Sequence, residues 1–398
     1  MDVYARILRT PGVAVVVLAT LVGRLPIGIS GLAILLYVRD VTGSFAAAGV
    51  CAGALALGSA GGAPFQGRLV DRRGLAMLVP LSCAHGAGLM LVWLLGTAGA
   101  PTAAIAASAF LAGVAVPPLS SVLRSRWPYL LEHNPELLPG AYALDSVLID
   151  VVFIGGPLAV SAIVATTAPQ YALGISAAFV LAGTTLLLAG LSGRRGPDRQ
   201  AGGSPVIGLG ALAAPGLRTL SLATLPVGFC IGAIEVVLPA FSELEGSKGM
   251  AGVLLAVWAA ASAAAGLAYG TRALRAPLET VHLLFACLLP LGLAFLLFAS
   301  SPLTMALLVI LAGIPVAPLV ASRNQLVGLV SLPGTATEAF TWPVTALVAG
   351  ISLGAACTGA LIEAHSWTAG VLLAVAVGAV GAGVVFATRE TIARAATA

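Results

Sequence analysis

GRLVDRRG, residues 67–74, sets one acid and three arginines between two long apolar runs, 45–66 and 75–98. Such a polar island belongs where a chain leaves one membrane span and enters the next, because an ionisable side chain at the bilayer centre costs roughly 2.5 to 3.5 kcal/mol. Outward from it the pattern continues along the whole chain. Of the 398 residues 59% are hydrophobic and 9% charged, with a mean hydropathy of +1.06; a soluble domain carries about a quarter charged residues. Crossing the hydrocarbon takes about 20 apolar residues. The sequence predicts twelve such runs, at 12–38, 45–66, 75–98, 102–123, 139–164, 170–192, 218–241, 249–270, 278–299, 302–322, 334–361 and 367–387. The first is too long for a signal-peptide core and contains Arg24 and Pro26, so it reads as the first span.

Charge placement explains the net +4. With the N-terminus inside, sixteen arginines fall on one side (Arg6, Arg9, Arg68, Arg72, Arg73, Arg124, Arg126, Arg194, Arg195, Arg199, Arg218, Arg272, Arg275, Arg323, Arg389 and Arg394), leaving Arg39 and Lys248 on the other. The expectation is a multi-pass protein of the inner (plasma) membrane with both termini cytoplasmic. No loop is long enough to fold into a basic module, so nucleic acid is not expected as a partner. The five cysteines stand singly in apolar runs without CxxC spacing, which suggests neither a metal site nor a disulfide frame.

The chain also repeats itself. Gly43-Ser44 and Ala48-Gly49 recur as Gly246-Ser247 and Ala251-Gly252; Leu111-Ala112-Gly113 with Pro118-Leu119 recurs as Leu311-Ala312-Gly313 with Pro318-Leu319; Gly67 aligns with Gly270. Duplication of a six-span unit accounts for all three matches. The Gly- and Pro-rich stretch between them divides the chain into an N-terminal six-helix bundle at 1–192, a cytoplasmic linker at 193–215 and a C-terminal six-helix bundle at 216–398.

With these residues in place the chain resembles the major facilitator superfamily. GRLVDRRG is similar to that superfamily's loop motif between spans 2 and 3, and Gly156-Pro157 in span 5 is similar to the core of the motif of its antiporter branch. The resemblance covers the whole chain. It implies an all-α membrane protein of twelve transmembrane helices in two pseudo-symmetric six-helix bundles, moving a small molecule by alternating access as a monomer. Two departures stand out: Ser161 and its neighbours do not complete the glycine pair expected after Gly156-Pro157, and span 4 reads as lacking the mid-helix arginine of drug exporters.

Charges inside the spans need a partner or a task. Arg24 and Asp150 lie at similar depth, about 18 Å from the cytoplasmic end, and are expected to pair. Asp145 points about 140° away round the helix from Asp150 and takes a different duty. Asp150 is the first choice for a proton-responsive acid and Glu235, in the outer half of span 7, the second. The arginines and acid of Gly67, Arg68, Asp71 and Arg72 read as a gate: Glu338, one turn into span 11, is the expected partner of Arg68 or Arg72. By the duplication Asp145 is expected to meet Arg272 or Arg275, an arrangement that resembles the superfamily's gating contacts between spans 2 and 11 and spans 5 and 8.

Small residues at Gly49, Gly53, Gly58, Gly62, Gly266, Gly270, Gly350 and Gly354 suggest sliding interfaces. Pro26, Pro117-Pro118, Pro315 and Pro318 should bend or break spans 1, 4 and 10. Arg24, Phe229, Trp258 and Trp342 are the candidate wall of a substrate cavity. The sequence carries no HExxH, paired catalytic acids or phosphate-binding loop, so an intramembrane enzyme is a poor third reading, an ATP-driven pump is not indicated, and no cofactor is expected. Two functions remain. The scarcity of polar residues in the spans favours a proton-coupled exporter of lipophilic drugs or natural products; uptake or facilitated efflux of a small polar or anionic metabolite, anchored on Arg24, is the alternative.

Overall fold

The computed structural model describes residues 2–194, 210–244, 250–271 and 276–397. Arg195, Arg199, Lys248, Arg272, Arg275, the Gly246-Ser247 repeat and most of the expected linker lie outside the described residues. Every described element is helical, and twelve helical spans are long and apolar enough to cross a membrane. In order they are Val13–Thr42, Ala47–Arg73, Leu75–Thr97, Thr102–Leu130, Pro135–Val164, Pro169–Leu191, Pro215–Ser242, Met250–Thr271, Leu278–Phe298, Pro302–Val330, Ala336–Ala364 and Trp367–Ile392, spans 1 to 12 below.

Local chemistry sets their ends. Ser44 accepts the Ala47 N–H at the start of span 2, and Ser301 with Thr304 forms a capping box at the start of span 10. The polar island is not a loop. Helix continues through Gly67 to Arg73, and the turn falls at Gly74, whose φ of 86° suits a residue without Cβ and whose N–H closes on Val70 O. Pro117 and Pro118 interrupt span 4 between Val114 and Leu119, and Pro315 interrupts span 10 between Gly313 and Val316, because proline donates no N–H to the preceding turn. Span 1 stays one helix across Pro26, and Pro318 sits within the helix that completes span 10.

After each break the helix goes on well past the expected end. Span 4 runs to Leu130 and span 10 to Val330, where the apolar runs had suggested 123 and 322. Arg124 and Arg323 are therefore not loop charges: each is 4% exposed inside a span. Span 4 does carry an arginine within it, contrary to the expectation.

The spans pack in matching pairs. Spans 1 and 6, 1 and 5, 2 and 4, and 3 and 6 lie together in the first half; 7 and 12, 7 and 11, 8 and 10, and 9 and 12 repeat these contacts in the second. Four of the eight small residues serve this packing within each half, and Gly49 and Gly53 face open space. Gly58 and Gly62 meet Phe110 and Val114 of span 4, and Gly350 and Gly354 meet Leu225, Gly228 and Phe229 of span 7, so these are not the sliding surfaces expected. Gly266 and Gly270 do reach across, to Val147 and to Gly140 and Ala143 of span 5. Cys51 and Cys230 are small buried side chains, whereas Cys83, Cys287 and Cys357 are exposed on the protein's outside.

Both termini lie on one face of the molecule. There the leading helix Asp2–Arg9 is tied down by Tyr4, whose hydroxyl donates to Leu267 O at 2.6 Å. Burial pushes the Tyr4 phenol up to about 12, so it remains a donor at any physiological pH.

Candidate functional site

Two charged assemblies are built near the termini face, one joining the halves and one within the first half. The first joins spans 2 and 11. Gly67, Arg68, Asp71 and Arg72 share one face of the last turns of span 2, because residues three and four apart stack on a helix. Gly67 lies against the backbone of Glu338, where any Cβ would collide. That contact brings Asp71 onto the start of span 11: its Oδ1 accepts Thr337 N–H at 3.0 Å and its Oδ2 accepts Glu338 N–H at 2.8 Å. Thr335, at the N-cap of this helix, makes no side-chain cap bond, so an acid from another helix satisfies the free N–H groups and meets the positive end of the helix dipole.

Arg68 completes the assembly with a two-pronged contact, Nε to Glu338 Oε2 at 3.0 Å and Nη2 to Oε1 at 2.7 Å. Trp342 Nε1 donates to the same carboxylate at 3.3 Å. Gly210, before span 7, packs over Arg68 and Glu338. About two turns deeper, Thr345 Oγ1 donates to Ala60 O at 3.0 Å. Neighbouring contacts close the same face: Tyr142 stacks beside Phe340 with ring centroids 6.1 Å apart, and Gln325 donates to the Tyr269 hydroxyl at 2.9 Å.

The second assembly is buried among spans 1, 4 and 5. Asp145, fully buried, has one oxygen for each of two arginines: Oδ1 lies 2.6 Å from Arg24 Nη2 and Oδ2 accepts from Arg124 Nε at 2.6 Å. Arg24 is therefore paired with Asp145 and not with Asp150. Asp145 in turn is occupied by Arg24 and Arg124; Arg272 and Arg275, its expected partners, lie outside the described residues. The reason is rotational. Residue 145 faces spans 1 and 4, whereas 150 is turned away from them towards the side of Val147, which touches span 8.

The Arg24 contact is charge on charge, and Arg24 Nε and Nη1 and Arg124 Nη1 have no hydrogen-bond partner. Across the interface, Arg323 of span 10 lies in the electrostatic field of Arg124 and Asp145. It donates to Asn324 Oδ1 from Nε at 3.3 Å and Nη2 at 2.9 Å. Sequence reasoning missed Arg124 and Arg323, having ended each span at its first charge. A signal was there. Leu119, Val122, Leu123, Trp127 and Leu130 keep helical spacing past Arg124, and all are buried.

The remaining candidates are scattered. Asp150 is half-buried with Oδ2 enclosed and without a hydrogen-bond partner. Glu235 is exposed on span 7, far along the helix from the end that carries the Asp71 assembly. Phe229 belongs to the core of the second half, and Trp258 packs its ring on Gly313 of span 10, so neither stands beside Arg24. Gly156 lies against the backbone of Gly28 and brings spans 1 and 5 into close contact.

No protein-family model matches this sequence, and no curated protein matches it. Solved structures do. At 13% identity, a bacterial homologue of the iron transporter ferroportin, in an outward-facing state, superposes with a TM-score of 0.77 over 94% of this chain and 98% of its own. The human organic anion transporter MFSD10 gives 0.69 at 15% identity over 94% and 98%, and the E. coli fucose:proton symporter FucP, a major facilitator superfamily transporter, 0.69 at 14% over 97% and 99%. The chain has the major facilitator fold. On this fold the Asp71 and Asp145 assemblies occupy the same end of the helical bundle, the end that carries both termini.

Proposed function

We propose that this protein is a secondary transporter working by alternating access, and that the described state is closed at the termini face and open at the opposite one. The observation that carries the reading is the Asp71–Arg68–Glu338 assembly. It joins the halves through charge-assisted bonds that a rigid-body rotation can break and remake, which is the bistable element alternating access needs. Spans that touch at this face carry exposed apolar residues further along, Leu57 of span 2, Leu158 of span 5, Val253 of span 8 and Leu353 of span 11, as expected of helices that diverge. The arginine excess on the closed side supports reading it as cytoplasmic, with the protein in the inner membrane. One chain holds both halves, so a monomer suffices, divided as 1–192 and 216–398 about the linker.

The buried arginines favour a small polar or anionic metabolite as substrate, since holding such charge out of water has no use for a lipophilic one. Proton-coupled export of lipophilic compounds remains the second reading, supported by the close Gly28–Gly156 packing of the antiporter-like element. Asp150, whose Oδ2 is enclosed without a hydrogen-bond partner, and Glu235 are the proposed proton carriers in either case.

Proton movement in everted vesicles distinguishes them. A pH dye is followed while lipophilic cations, antibiotics and small polar metabolites are added to wild type, Asp150→Asn and Glu235→Gln. A compound that collapses the gradient in wild type and not in a variant identifies an antiporter, its substrate class and a coupling acid. No response in wild type to any compound overturns coupled export.

A further inference from the structure

Arg323 is buried beside a neutral partner. Its guanidinium bonds the Asn324 amide oxygen, and no carboxylate of the described residues lies within ion-pair distance. The first half treats the equivalent problem differently. There Arg124, one position out of register with Arg323 in the repeat, has the carboxylate of Asp145. The two helices that should supply that acid, Leu138–Thr166 and Ala336–Ala364, have equal length, and aligned from their first residues they set Asp145 on Pro343. The second half thus keeps the cation and lacks its counter-ion.

What it has instead is a small cavity among spans 7, 9, 10 and 12, lined by Thr224, Val227, His282, Leu319 and Arg323. His282 is held through Nδ1, 3.0 Å from Ser322 Oγ, and lines the cavity beside the guanidinium. Asn324 Nδ2, 1% exposed in its residue, is a further buried donor without a partner. Across the interface Asp145 is already shared between Arg24 and Arg124, so it has no oxygen left for Arg323. A buried guanidinium whose partner is a neutral amide is stabilised further by any anion that can face it.

We propose that this cavity binds an anionic group on Arg323, either the carboxylate of a transported substrate or a free small anion, which does in the second half what Asp145 does in the first. The role as substrate site rests on the transporter reading; the binding does not.

The test is thermal unfolding of the purified full-length protein in detergent, at constant ionic strength in sodium methanesulfonate. Chloride, inorganic phosphate, acetate and succinate are titrated separately. Wild type should show a saturable rise in unfolding temperature with at least one of them. Arg323→Gln should weaken half-saturation at least tenfold. Asn324→Asp, isosteric and placing a carboxylate where the amide oxygen already bonds Arg323, should fold and weaken it equally, which covers the case in which Arg323→Gln does not fold. Saturation by acetate or succinate identifies a carboxylate group as ligand, and saturation by chloride or phosphate alone a free inorganic anion. No saturable response in wild type, or one unchanged in Asn324→Asp, overturns the site. A saturable response in a protein that never alternates its accessible face would overturn the transporter reading and leave the anion site standing.

Discussion

Asp145 shows what one residue does here. Both its oxygens are committed to arginines, and all three side chains are at most 4% exposed. Asp145→Asn keeps the shape and removes the charge, leaving two buried guanidinium groups without a counter-ion. Breaking a buried pair in this way costs roughly 3 to 5 kcal/mol. The expected outcome is a lower unfolding temperature in detergent, and an unchanged one would mean that the arginines find other partners. On the proposed reading Glu338 has a different kind of task, because its bonds belong to the closed state alone. Glu338→Gln loses the charge-assisted contact with Arg68 while Asp71 keeps its backbone N–H groups, so the closed state should lose roughly 1.5 to 3 kcal/mol. Faster labelling of a cysteine introduced at Thr345, in a cysteine-free background, would report it; identical labelling would remove Glu338 from the gate.

At the level of elements, the decisive features are two broken spans and one glycine. The proline breaks in spans 4 and 10 let a second helix start, and those short helices carry Arg124 and Arg323 into the interior. A hydropathy scan sums over a window and stops at the charge, so it could not see that the helix resumes with buried residues on one face. Gly67 was legible as part of a motif, yet its physical role is close approach to Glu338 rather than a turn, which Gly74 provides. Gly67→Val should therefore block closure of spans 2 and 11 without unfolding either helix. Protection of the Thr345 position from labelling should be lost, and retained protection would show that the helices part there by some other route.

For the whole molecule the expectation concerns motion between halves. Ala60 and Thr345 touch across the interface in the described state. A disulfide between cysteines placed at these two positions should form in the closed state and stop transport reversibly, activity returning on reduction. Full transport with the disulfide in place would show that this interface does not open during the cycle. The same global view bears on the proposed substrate. Scarce polar residues suggest a lipophilic substrate, whereas the proposed polar or anionic one rests on a few charges gathered at one place in the interior, where a low dielectric makes position govern electrostatic energy.

The sequence by itself determined the helical membrane architecture, the number of spans and the duplication, and it narrowed the partner of Glu338 to Arg68 or Arg72, between which the structure chose Arg68. Those follow from hydrophobic length, from repeated local patterns and from a motif whose residues share a helical face. Only the tertiary structure decided that Arg24 meets Asp145 rather than Asp150, that Arg124 and Arg323 are interior, and that Phe229 and Trp258 pack in the second half. Depth along a helix can be counted from sequence. The rotation of each helix about its axis, which chooses the partner, is set by packing against its neighbours and has no local record.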